Sequence, residues 1–377
     1  MHTRQVSSTA PSALKLAVVI SFSGAGGVEK MVMNLVREFA TRLESLDLLV
    51  IRGAGPHLDN IPSNVNLIKL QAKHTLTAIP ELSRYMKDNR PDAILVAKDR
   101  AGRAVIRART LSGTSPRVVI RLGTNLSTAL QQKNKFQAWL RTSPMKRIYQ
   151  KAEAVVAVSE GVRQDTIDIT HIPAERVSVI RNPVITEQFY TRTEGPAPHE
   201  WLRDDTIPTF IGVGRLTTQK GFDTLISAFA EVRAQLPVRL LIIGEGGLRE
   251  SLQQQIDEAE LTNDVQMPGF QKNVLDWVAH ADCFVLSSRW EGSPNALTEA
   301  LALGVSCAST RCPSGPNELL DEGRYGPLVE VDDAPALAKA MLTALQQPLP
   351  SATLQAAVDE YRATTSATHY LNLLQGN

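Results

Sequence analysis

The sequence contains few of the residues that build disulfide frameworks, metal sites and membrane spans. It has three cysteines in 377 residues and no Cys-x-x-Cys pair, which argues against a disulfide framework or a zinc site and favours a reducing compartment. It has no His-Glu-x-x-His and no Asp-x-Asp sequence, so the usual patterns for holding a catalytic divalent ion are absent. No uninterrupted apolar run approaches the roughly 18 residues of a membrane-spanning helix.

The charge is unevenly distributed along the chain, although the formal net charge is only +1. Residues 1–151 carry 24 basic and 9 acidic residues, a charge of +15, whereas residues 152–377 carry 16 and 30, a charge of −14. This asymmetry indicates that the first half meets an anionic partner. With 43% hydrophobic and 21% charged residues, the composition is that of a soluble globular protein.

Short apolar runs alternate with helical patterns in both halves of the chain. Runs of this kind are typical of parallel strands covered by helices on both faces. The pattern restarts near residue 205, and the length exceeds the roughly 250–300 residues of a single core. We therefore predict an α/β protein with two doubly wound, Rossmann-like domains facing a cleft. The predicted strands are Leu16–Phe22, Leu46–Ile51, Ala93–Ala97, Val118–Ile120, Ala154–Val158, Thr209–Val213, Leu240–Ile243 and Cys283–Leu286.

The domain boundary is predicted between Ile180 and Ile207, where Asn182-Pro183 and a proline-rich turn at 194–198 interrupt the pattern. We assign 1–188 to the first domain, 189–350 to the second, and 351–377 to a C-terminal helix that packs back on the first domain. The apolar segment Leu14–Phe22 is interpreted as the first strand rather than as the core of a signal peptide, because it runs directly into a glycine loop and an amphipathic helix.

Two glycine-rich loops each follow a predicted strand and precede a helix. The first, Ser23–Gly27, allows close backbone approach and favours an anion at the helix start. It is not a dinucleotide fingerprint, because Glu29 stands where the third glycine belongs; a tight turn without a ligand is the alternative. In the second loop, Arg215 and Lys220 are five residues apart and can converge on a phosphate, or they are two solvated cations.

A third segment, Arg289–Glu299, follows the Cys283 strand. Ser293-Pro294 is typical of an N-cap and a first-turn proline, so a helix is predicted to begin there. Glu291 then lies in the loop and Glu299 inside the helix. Such carboxylates suit the hydroxyl groups of a sugar or ribose, although two surface residues would give the same spacing.

Together these motifs resemble glycosyltransferase family 4, whose members are retaining, nucleotide-sugar-dependent enzymes with the two-Rossmann GT-B fold. The resemblance runs from about Lys15 to about Leu345 and depends on the order and spacing of the motifs. They are Gly26-Gly27, Ala157-Val158-Ser159-Glu160-Gly161-Val162, Arg181-Asn182-Pro183-Val184, Gly214-Arg215 with Lys220-Gly221, Gly244-Glu245-Gly246, and Glu291 with Glu299.

The resemblance implies a role for each matching residue. Arg215 and Lys220 would bind the donor's diphosphate and offset its charge as it leaves, without a metal or other cofactor. Glu291 would contact the transferred sugar and Glu299 the ribose, and no protein nucleophile is implied. Arg215, Lys220 and Glu291 are thus the predicted catalytic residues. The remaining predicted donor-binding residues are Gly26, Gly27, Gly214, Gly244, Phe270, Gly292, Ser293, Pro294 and Asn295.

The sequence departs from the family pattern after the Val118–Ile120 strand, where many members have a histidine that contacts the donor sugar. Here Arg121 or Asn125 would take its place. The Glu-Gly-Ser-Pro-Asn sequence at 291–295, together with Cys312-Pro313-Ser314-Gly315-Pro316-Asn317-Glu318, resembles members that extend bacterial surface glycans, such as lipopolysaccharide, with UDP-sugars.

The segment Lys98–Lys151 contains 13 basic residues and one acid, Asp99. In the GT-B fold the first domain takes the acceptor, and such a stretch favours an anionic membrane leaflet, with Trp139 at the interface. The alternative is a solvated surface with a buried Trp139; aromatic residues are too sparse for nucleic acid. The predicted acceptor- or membrane-side residues are Arg121, Asn125, Lys133, Lys135, Trp139, Arg141, Lys146 and Arg147.

The sequence therefore predicts a cytoplasmic glycosyltransferase, peripheral on the inner face of the cytoplasmic membrane. It would transfer a hexose or N-acetylhexosamine from an NDP-sugar to a lipid-linked or surface-polysaccharide acceptor with retention. The predicted nucleotide of the donor is UDP. The alternatives are a sugar-nucleotide epimerase of the same fold, a nucleotide-sugar-binding scaffold without turnover, and a nicotinamide-dependent oxidoreductase, which the Glu29 position disfavours.

Overall fold

The computed structural model describes residues 12–22, 26–51, 53, 58, 61–129, 135–193 and 195–377, with the backbone alone at 129, 135–141 and 192. The chain divides into two compact domains. The first consists of residues 1–158, 162–183 and 363–377, and the second of residues 159–161 and 184–362.

The first domain contains a seven-stranded, all-parallel sheet with the order β3-β2-β1-β4-β5-β6-β7. The order reverses between β1 and β4, and such a reversal is where ligands bind in open α/β sheets. Its strands are β1 (Ser12–Ser21), β2 (Leu43–Ile51), β3 (Val65–Lys69), β4 (Ala93–Ala97), β5 (Arg117–Leu122), β6 (Ala154–Ala157) and β7 (Val177–Val179).

Helices cover both faces of this sheet because its central strands are apolar on both sides. Val18, Val96 and Ile120 are fully buried, and the helical spacing of Val32, Leu35, Val36 and Phe39 places an apolar stripe of α1 against the strands. The helices are α1 (Gly27–Ala40), α2 (Ile79–Asn89), α3 (Asp99–Ser112), α4 (Lys135–Tyr149) and α5 (Glu160–Thr170).

The second domain contains a six-stranded parallel sheet with the order β10-β9-β8-β11-β12-β13, which reverses between β8 and β11. Its strands are β8 (Thr209–Val213), β9 (Arg239–Ile243), β10 (Val265–Gly269), β11 (Cys283–Leu286), β12 (Ser306–Thr310) and β13 (Leu328–Val329). Its helices are α6 (Phe222–Arg233), α7 (Arg249–Glu258), α8 (Val274–Ala279), α9 (Asn295–Ala302), α10 (Pro316–Leu319), α11 (Ala334–Gln346) and α12 (Ser351–Ala356).

The last helix, α13 (Ala363–Gln375), returns to the first domain. Tyr370 is 1% exposed there, and Arg117 Nε donates a hydrogen bond to the Leu373 carbonyl at 2.7 Å. By contrast, α12 belongs to the second domain. The predicted C-terminal element 351–377 is therefore two helices in different domains, divided after Arg362.

The predicted fold class is confirmed, and each predicted strand is present, three with the predicted bounds and the others with ends shifted by one to four residues. Strand β12 was not predicted, because its sequence Ser-Cys-Ala-Ser-Thr is not an apolar run. It is nevertheless buried along its whole length. Thr310 Oγ1 donates to the Ser288 carbonyl at 2.6 Å, and Ser309 Oγ donates to the Thr310 carbonyl at 3.0 Å, so these two buried hydroxyl groups are satisfied by backbone carbonyls.

Candidate active site

Two loops meet at the carboxyl ends of the central strands in the second domain. The β8 loop is defined as residues 214–221 and the β11 loop as residues 287–294. Strands β8 and β11 are neighbours in the sheet, with Phe210 opposite Cys283. The chain order reverses between them, so both loops lie at the position where this fold class binds ligands.

The β8 loop is attached to the β11 loop through its backbone. The Ser287 hydroxyl donates to the Lys220 carbonyl at 2.8 Å, and the Arg289 N–H donates to the Gln219 carbonyl at 2.8 Å. Gly221 has a φ of +60°, and a β-carbon there would lie 2.1 Å from the Ser287 carbonyl oxygen. Only glycine permits this approach.

Arg289 fixes the part of the β8 loop around Thr218. Its guanidinium is 2.7 Å from a carboxylate oxygen of Asp223 and 2.7 Å from one of Asp332, and it donates to the Thr218 carbonyl at 2.9 Å. The hydrogen bonds with Asp223 and then Asp332 raise the pKa of Arg289 above its ordinary value. A permanently charged side chain thus connects the start of α6 to both loops.

Lys220 and Glu291 form an ion pair in which Lys220 Nζ lies 2.5 Å from Glu291 Oε1. The Ser288 hydroxyl donates to the same oxygen at 2.7 Å. The side chains are 18% and 7% exposed, and the stem of Lys220 passes beside Gly214, where a β-carbon would lie 3.0 Å from it. The structure therefore brings together two of the predicted catalytic residues, and adds Ser288, which the sequence did not indicate.

Arg215, the third predicted catalytic residue, is exposed. Its backbone is held by the Thr217 N–H, which donates to the Arg215 carbonyl at 2.8 Å. Its guanidinium makes no ion pair or hydrogen bond with any residue that the structure describes. It therefore has a full set of donors available for an anion, in the same loop as Lys220.

A glycine contact joins the β8 loop to the loop after β9. Gly244 has a φ of +146°, and a β-carbon there would lie 1.8 Å from the Gly214 carbonyl oxygen. The Gly244 N–H donates to the Gly269 carbonyl at 3.0 Å, and the next residue, Phe270, is 68% exposed. Gly214, Gly244 and Phe270, all predicted donor-binding residues, thus follow one another along this edge of the sheet.

The predicted helix after the β11 loop is present as α9, but it begins one residue later than predicted. Pro294 is its N-cap, and the Pro294 carbonyl accepts a hydrogen bond from the Thr298 N–H at 3.0 Å. Glu299 is inside α9 and 5% exposed. The buried Ser293 hydroxyl has no hydrogen-bond partner among the described residues. Gly292 is buried and Asn295 half-buried at the helix start.

Cys312 lies against the Lys220–Glu291 pair. Burial, reinforced by the negative charge of Glu291, raises the pKa of its thiol to about 12. The thiol is therefore uncharged at neutral pH and is no nucleophile. The sequence did not indicate that Cys312 lies near this pair, because Cys312 follows β12 whereas Glu291 follows β11.

At the first glycine loop, Gly26 is the N-cap of α1 and Gly27 its first residue. A β-carbon on Gly26 would lie 2.5 Å from Glu29 Oε2, because the Glu29 side chain, 2% exposed, folds back toward the helix start. Glu29 Oε1 is also 2.7 Å from Lys98 Nζ. The residue that breaks the dinucleotide pattern thus supplies a carboxylate at this helix end.

The predicted acceptor- and membrane-side residues have different environments. Arg121 is 1% exposed, and its guanidinium donates to Asn182 Oδ1 at 2.5 Å. This burial corrects the prediction that Arg121 belongs to a membrane-facing surface. Lys146 Nζ is 2.6 Å from His171 Nε2, and Arg147 is exposed. Lys133 lies outside the described residues, as do the side chains of Lys135, Trp139 and Arg141.

The described residues contain neither a metal cluster nor a membrane-spanning helix. No group of three or more His, Cys, Asp or Glu side chains within them is arranged to hold a metal ion. None of the helices in this part of the chain is both long enough and apolar enough to cross a bilayer.

Two family models match the chain, one for each domain. The model described as "Glycosyltransferase Family 4" matches residues 25–188, and the model described as "Glycosyl transferases group 1" matches residues 207–347. Together they cover most of the sequence and include the β8 and β11 loops.

Individual relatives give the same result. An uncharacterized glycosyltransferase of Methanocaldococcus jannaschii is 27% identical over 64% of this chain and 60% of its own length. The N-acetylgalactosamine-N,N'-diacetylbacillosaminyl-diphospho-undecaprenol 4-alpha-N-acetylgalactosaminyltransferase of Campylobacter jejuni is 26% identical over 88% of this chain and 90% of its own length.

A similar solved structure is HepE of Anabaena in complex with UDP and glucose, with a TM-score of 0.78 at 19% identity over 97% of this chain and 100% of that one. At this identity the likeness concerns the fold. Together with the family models and the loop geometry, it leads to one conclusion: the chain belongs to glycosyltransferase family 4, whose fold is GT-B.

Proposed function

We propose that this protein is a retaining glycosyltransferase that moves a hexose or N-acetylhexosamine from a UDP-sugar to a lipid-linked or surface-polysaccharide acceptor. The observation that carries the proposal is the Lys220–Glu291 pair, 2.5 Å apart, with the exposed Arg215 in the same loop as Lys220. This arrangement combines cations for a diphosphate with an oriented carboxylate for sugar hydroxyls.

The diphosphate of the donor binds Arg215 and Lys220 in this proposal. The Arg215 fork grips two phosphate oxygens, and Lys220 contributes a point charge. As the bond to the sugar breaks, negative charge grows on the leaving phosphate, and fixed cations stabilise that charge more in the transition state than in the ground state. The two cations do this without a metal or other cofactor.

The two carboxylates of the site hold hydroxyl groups. Glu291 is oriented by Lys220 and Ser288, which leaves its second oxygen for a hydroxyl of the transferred sugar. Glu299 accepts from the ribose, and the exposed ring of Phe270 offers a face for the base. The anomeric configuration is retained because the acceptor hydroxyl attacks the anomeric carbon from the same face that the phosphate leaves. No protein nucleophile takes part.

The choice of UDP and of a lipid-linked acceptor is supported by relatives. The similar HepE structure is a complex with UDP and glucose, and the name of the Campylobacter jejuni enzyme contains a diphospho-undecaprenol acceptor. In our proposal the first domain takes the acceptor, with Asn125 beside it. Exposed cations such as Arg147 attract the anionic inner face of the cytoplasmic membrane.

The proposal is tested by replacing one cation and one carboxylate of the site. Lys220→Ala and Glu299→Ala should each lower kcat/KM for sugar transfer by about 100-fold or more, because each removes a charge that acts on the donor. Lys339→Ala, an exposed lysine on α11, is the matched control and should transfer normally. Circular dichroism verifies that all three variants fold, and near-normal transfer by both site variants would refute the assignment.

A further inference from the structure

A cleft of about 1130 Å³ lies within the first domain, and all of the residues that line it belong to that domain. It opens beyond the carboxyl ends of β1, β4 and β5, and its lining includes Phe22, Lys98 and Gly123 from the segments that follow these strands. Because the strand order reverses between β1 and β4, this is the position where a doubly wound sheet accepts a ligand.

The lining of the cleft is strongly basic. It contains five basic side chains and one acidic one: Lys73, Lys98, Arg100, Arg103, Arg107 and Asp99. Four of the five basic residues belong to the cation-rich segment Lys98–Lys151, and the side chains line one open cleft together.

Two of the five cations are held in place by partners inside the domain. Lys98 Nζ is 2.7 Å from Glu29 Oε1 and donates to the Ser21 carbonyl at 2.9 Å. Its φ of +75° is strained backbone of the kind found at functional sites. Arg103 is 2.7 Å from Asp99, whose other oxygen accepts a hydrogen bond from the Tyr149 hydroxyl at 3.0 Å.

The other three cations have no such partners. Lys73, Arg100 and Arg107 make no ion pair or side-chain hydrogen bond with any of the described residues. Arg100 and Arg107 are seven residues apart on α3 and therefore share one face of that helix with Arg103. Three uncompensated positive charges thus point to a ligand with two or more negative charges.

Apolar side chains line the same cleft. Leu76 is 63% exposed, and Ile79 and Met145 line the cavity with it. A ligand that combines phosphate groups with hydrocarbon matches this lining better than a free ion or a carboxylated glycan does, because each part of it finds a complementary surface.

We infer that this cleft binds the diphosphate of a lipid-linked acceptor. Arg100 and Arg107 bind the phosphate oxygens, and the apolar side chains around Leu76 contact the first carbons of the lipid. The inference rests on the proposed function, since it names the acceptor class of the same enzyme. It assigns acceptor recognition to side chains of α3 and to the loop before α2, neither of which contributes to the donor site.

The experiment measures binding of farnesyl diphosphate to the full-length protein by calorimetry, with UDP saturating so that the donor site is occupied. Farnesyl diphosphate should bind more tightly than both inorganic diphosphate and farnesol. Arg100→Gln and Arg107→Gln should each weaken this binding about tenfold, the effect of one charged hydrogen bond. Arg84→Gln, an exposed arginine on α2 outside the cleft, should change it less than twofold.

Each other outcome overturns the inference. Equally tight binding of inorganic diphosphate would mean that the lipid is not recognised, and tighter binding of trigalacturonate would assign the cleft to a carboxylated glycan. Unchanged binding in both α3 variants would place the ligand elsewhere. UDP affinity, measured in the same variants, should stay constant. A wild-type protein that transfers sugar but does not bind farnesyl diphosphate would refute this inference while leaving the proposed function intact.

Discussion

Single glycines determine how closely the loops around the candidate donor site approach one another. A β-carbon on Gly244 would lie 1.8 Å from the Gly214 carbonyl oxygen, whereas one on Gly247, three residues later, would have no atom within 4 Å. The two positions therefore separate the effect of a backbone contact from that of glycine in a loop.

Gly244→Ala should lower the free energy of unfolding by at least about 2 kcal/mol, since the loop must move away from Gly214 and its φ is unfavourable for alanine. It should also weaken UDP binding. Gly247→Ala should change stability by less than about 0.5 kcal/mol. Urea unfolding and calorimetry measure both quantities, and equal stability of the two variants would contradict the close contact.

Buried thiols make the stability of the second domain sensitive to alkaline pH. Burial raises the pKa of Cys307 and of Cys312 to about 12. Below the unfolded-state pKa the thiols are protonated in both states, so their contribution is constant. Above it the unfolded chain loses protons that the folded chain keeps, and stability falls until the pH passes the folded-state pKa.

We therefore expect the free energy of unfolding to fall by about 1.4 kcal/mol per pH unit for each buried thiol above pH ~9. Cys312→Ala should make this decline shallower between pH 9 and 10.5, as measured by urea unfolding at several pH values. If wild type and variant show the same slope, the Cys312 thiol is not protected in the folded state.

The sequence indicated Arg215, Lys220 and Glu291 as candidates because each stands in a short local motif. It did not indicate that Lys220 and Glu291 pair, because they are 71 residues apart and only the folded sheet brings their loops together. The prediction that Arg121 lies on the surface was wrong for a similar reason. An arginine normally lies on the surface, and the acceptor that allows its burial, Asn182, is 61 residues away.

At the scale of elements, the β8 loop depends on Arg289, which touches no ligand in our proposal and acts as a positioning residue. It connects the start of α6 to the loop through Asp223 and the Thr218 carbonyl. Without it, the segment that carries Lys220 has fewer contacts to define its conformation.

Arg289→Met should increase hydrogen exchange at residues 217–223 and raise the Kd for UDP about tenfold, because binding must then order the loop. Arg324→Met removes an exposed ion pair with Asp321 and should leave both quantities unchanged. Exchange mass spectrometry and calorimetry provide the two readouts. Faster exchange at 217–223 with unaltered UDP affinity would show that the ordered conformation of the β8 loop does not contribute to UDP binding.

Elements with strong local patterns were predictable, whereas others depend on their neighbours. Strand β4 is an unbroken apolar run, and α1 has an apolar stripe, so both were evident in the sequence. Strand β12 is made of small and hydroxyl residues and becomes a strand because it pairs with β11 on one side and β13 on the other. The start of α9 was off by one residue, since the Pro294 carbonyl accepts the first helical hydrogen bond.

At the scale of the whole molecule, the chain returns to its first domain through α13. Tyr370→Ala should destabilise the protein by about 3 kcal/mol, because it leaves a cavity under the helix. Asn372→Ala, on the exposed side of the same helix, should cost less than about 0.5 kcal/mol. Thermal and urea unfolding measure the difference, and equal stabilities would mean that α13 contributes little to the first domain.

The uneven charge of the two halves predicted an anionic partner for the first domain, but not how the cations are used. Arg109 is bonded to Glu153 and Arg117 to the Leu373 carbonyl, so part of the excess serves the fold itself. Another part lines the cleft of the first domain. A count along the sequence does not separate these uses, because they depend on which residues the sheet brings together.

We propose that the protein transfers a sugar with retention and binds the diphosphate through Lys220 and Arg215. The most direct test incubates the protein with α-linked UDP-sugars and a lipid-linked glycan, then measures UDP release and the anomeric configuration of the product by NMR. We expect UDP release that requires the acceptor, an α-linked product, and loss of both in Lys220→Ala. Isomerisation of the sugar without acceptor, binding without release, or a β-linked product would contradict it.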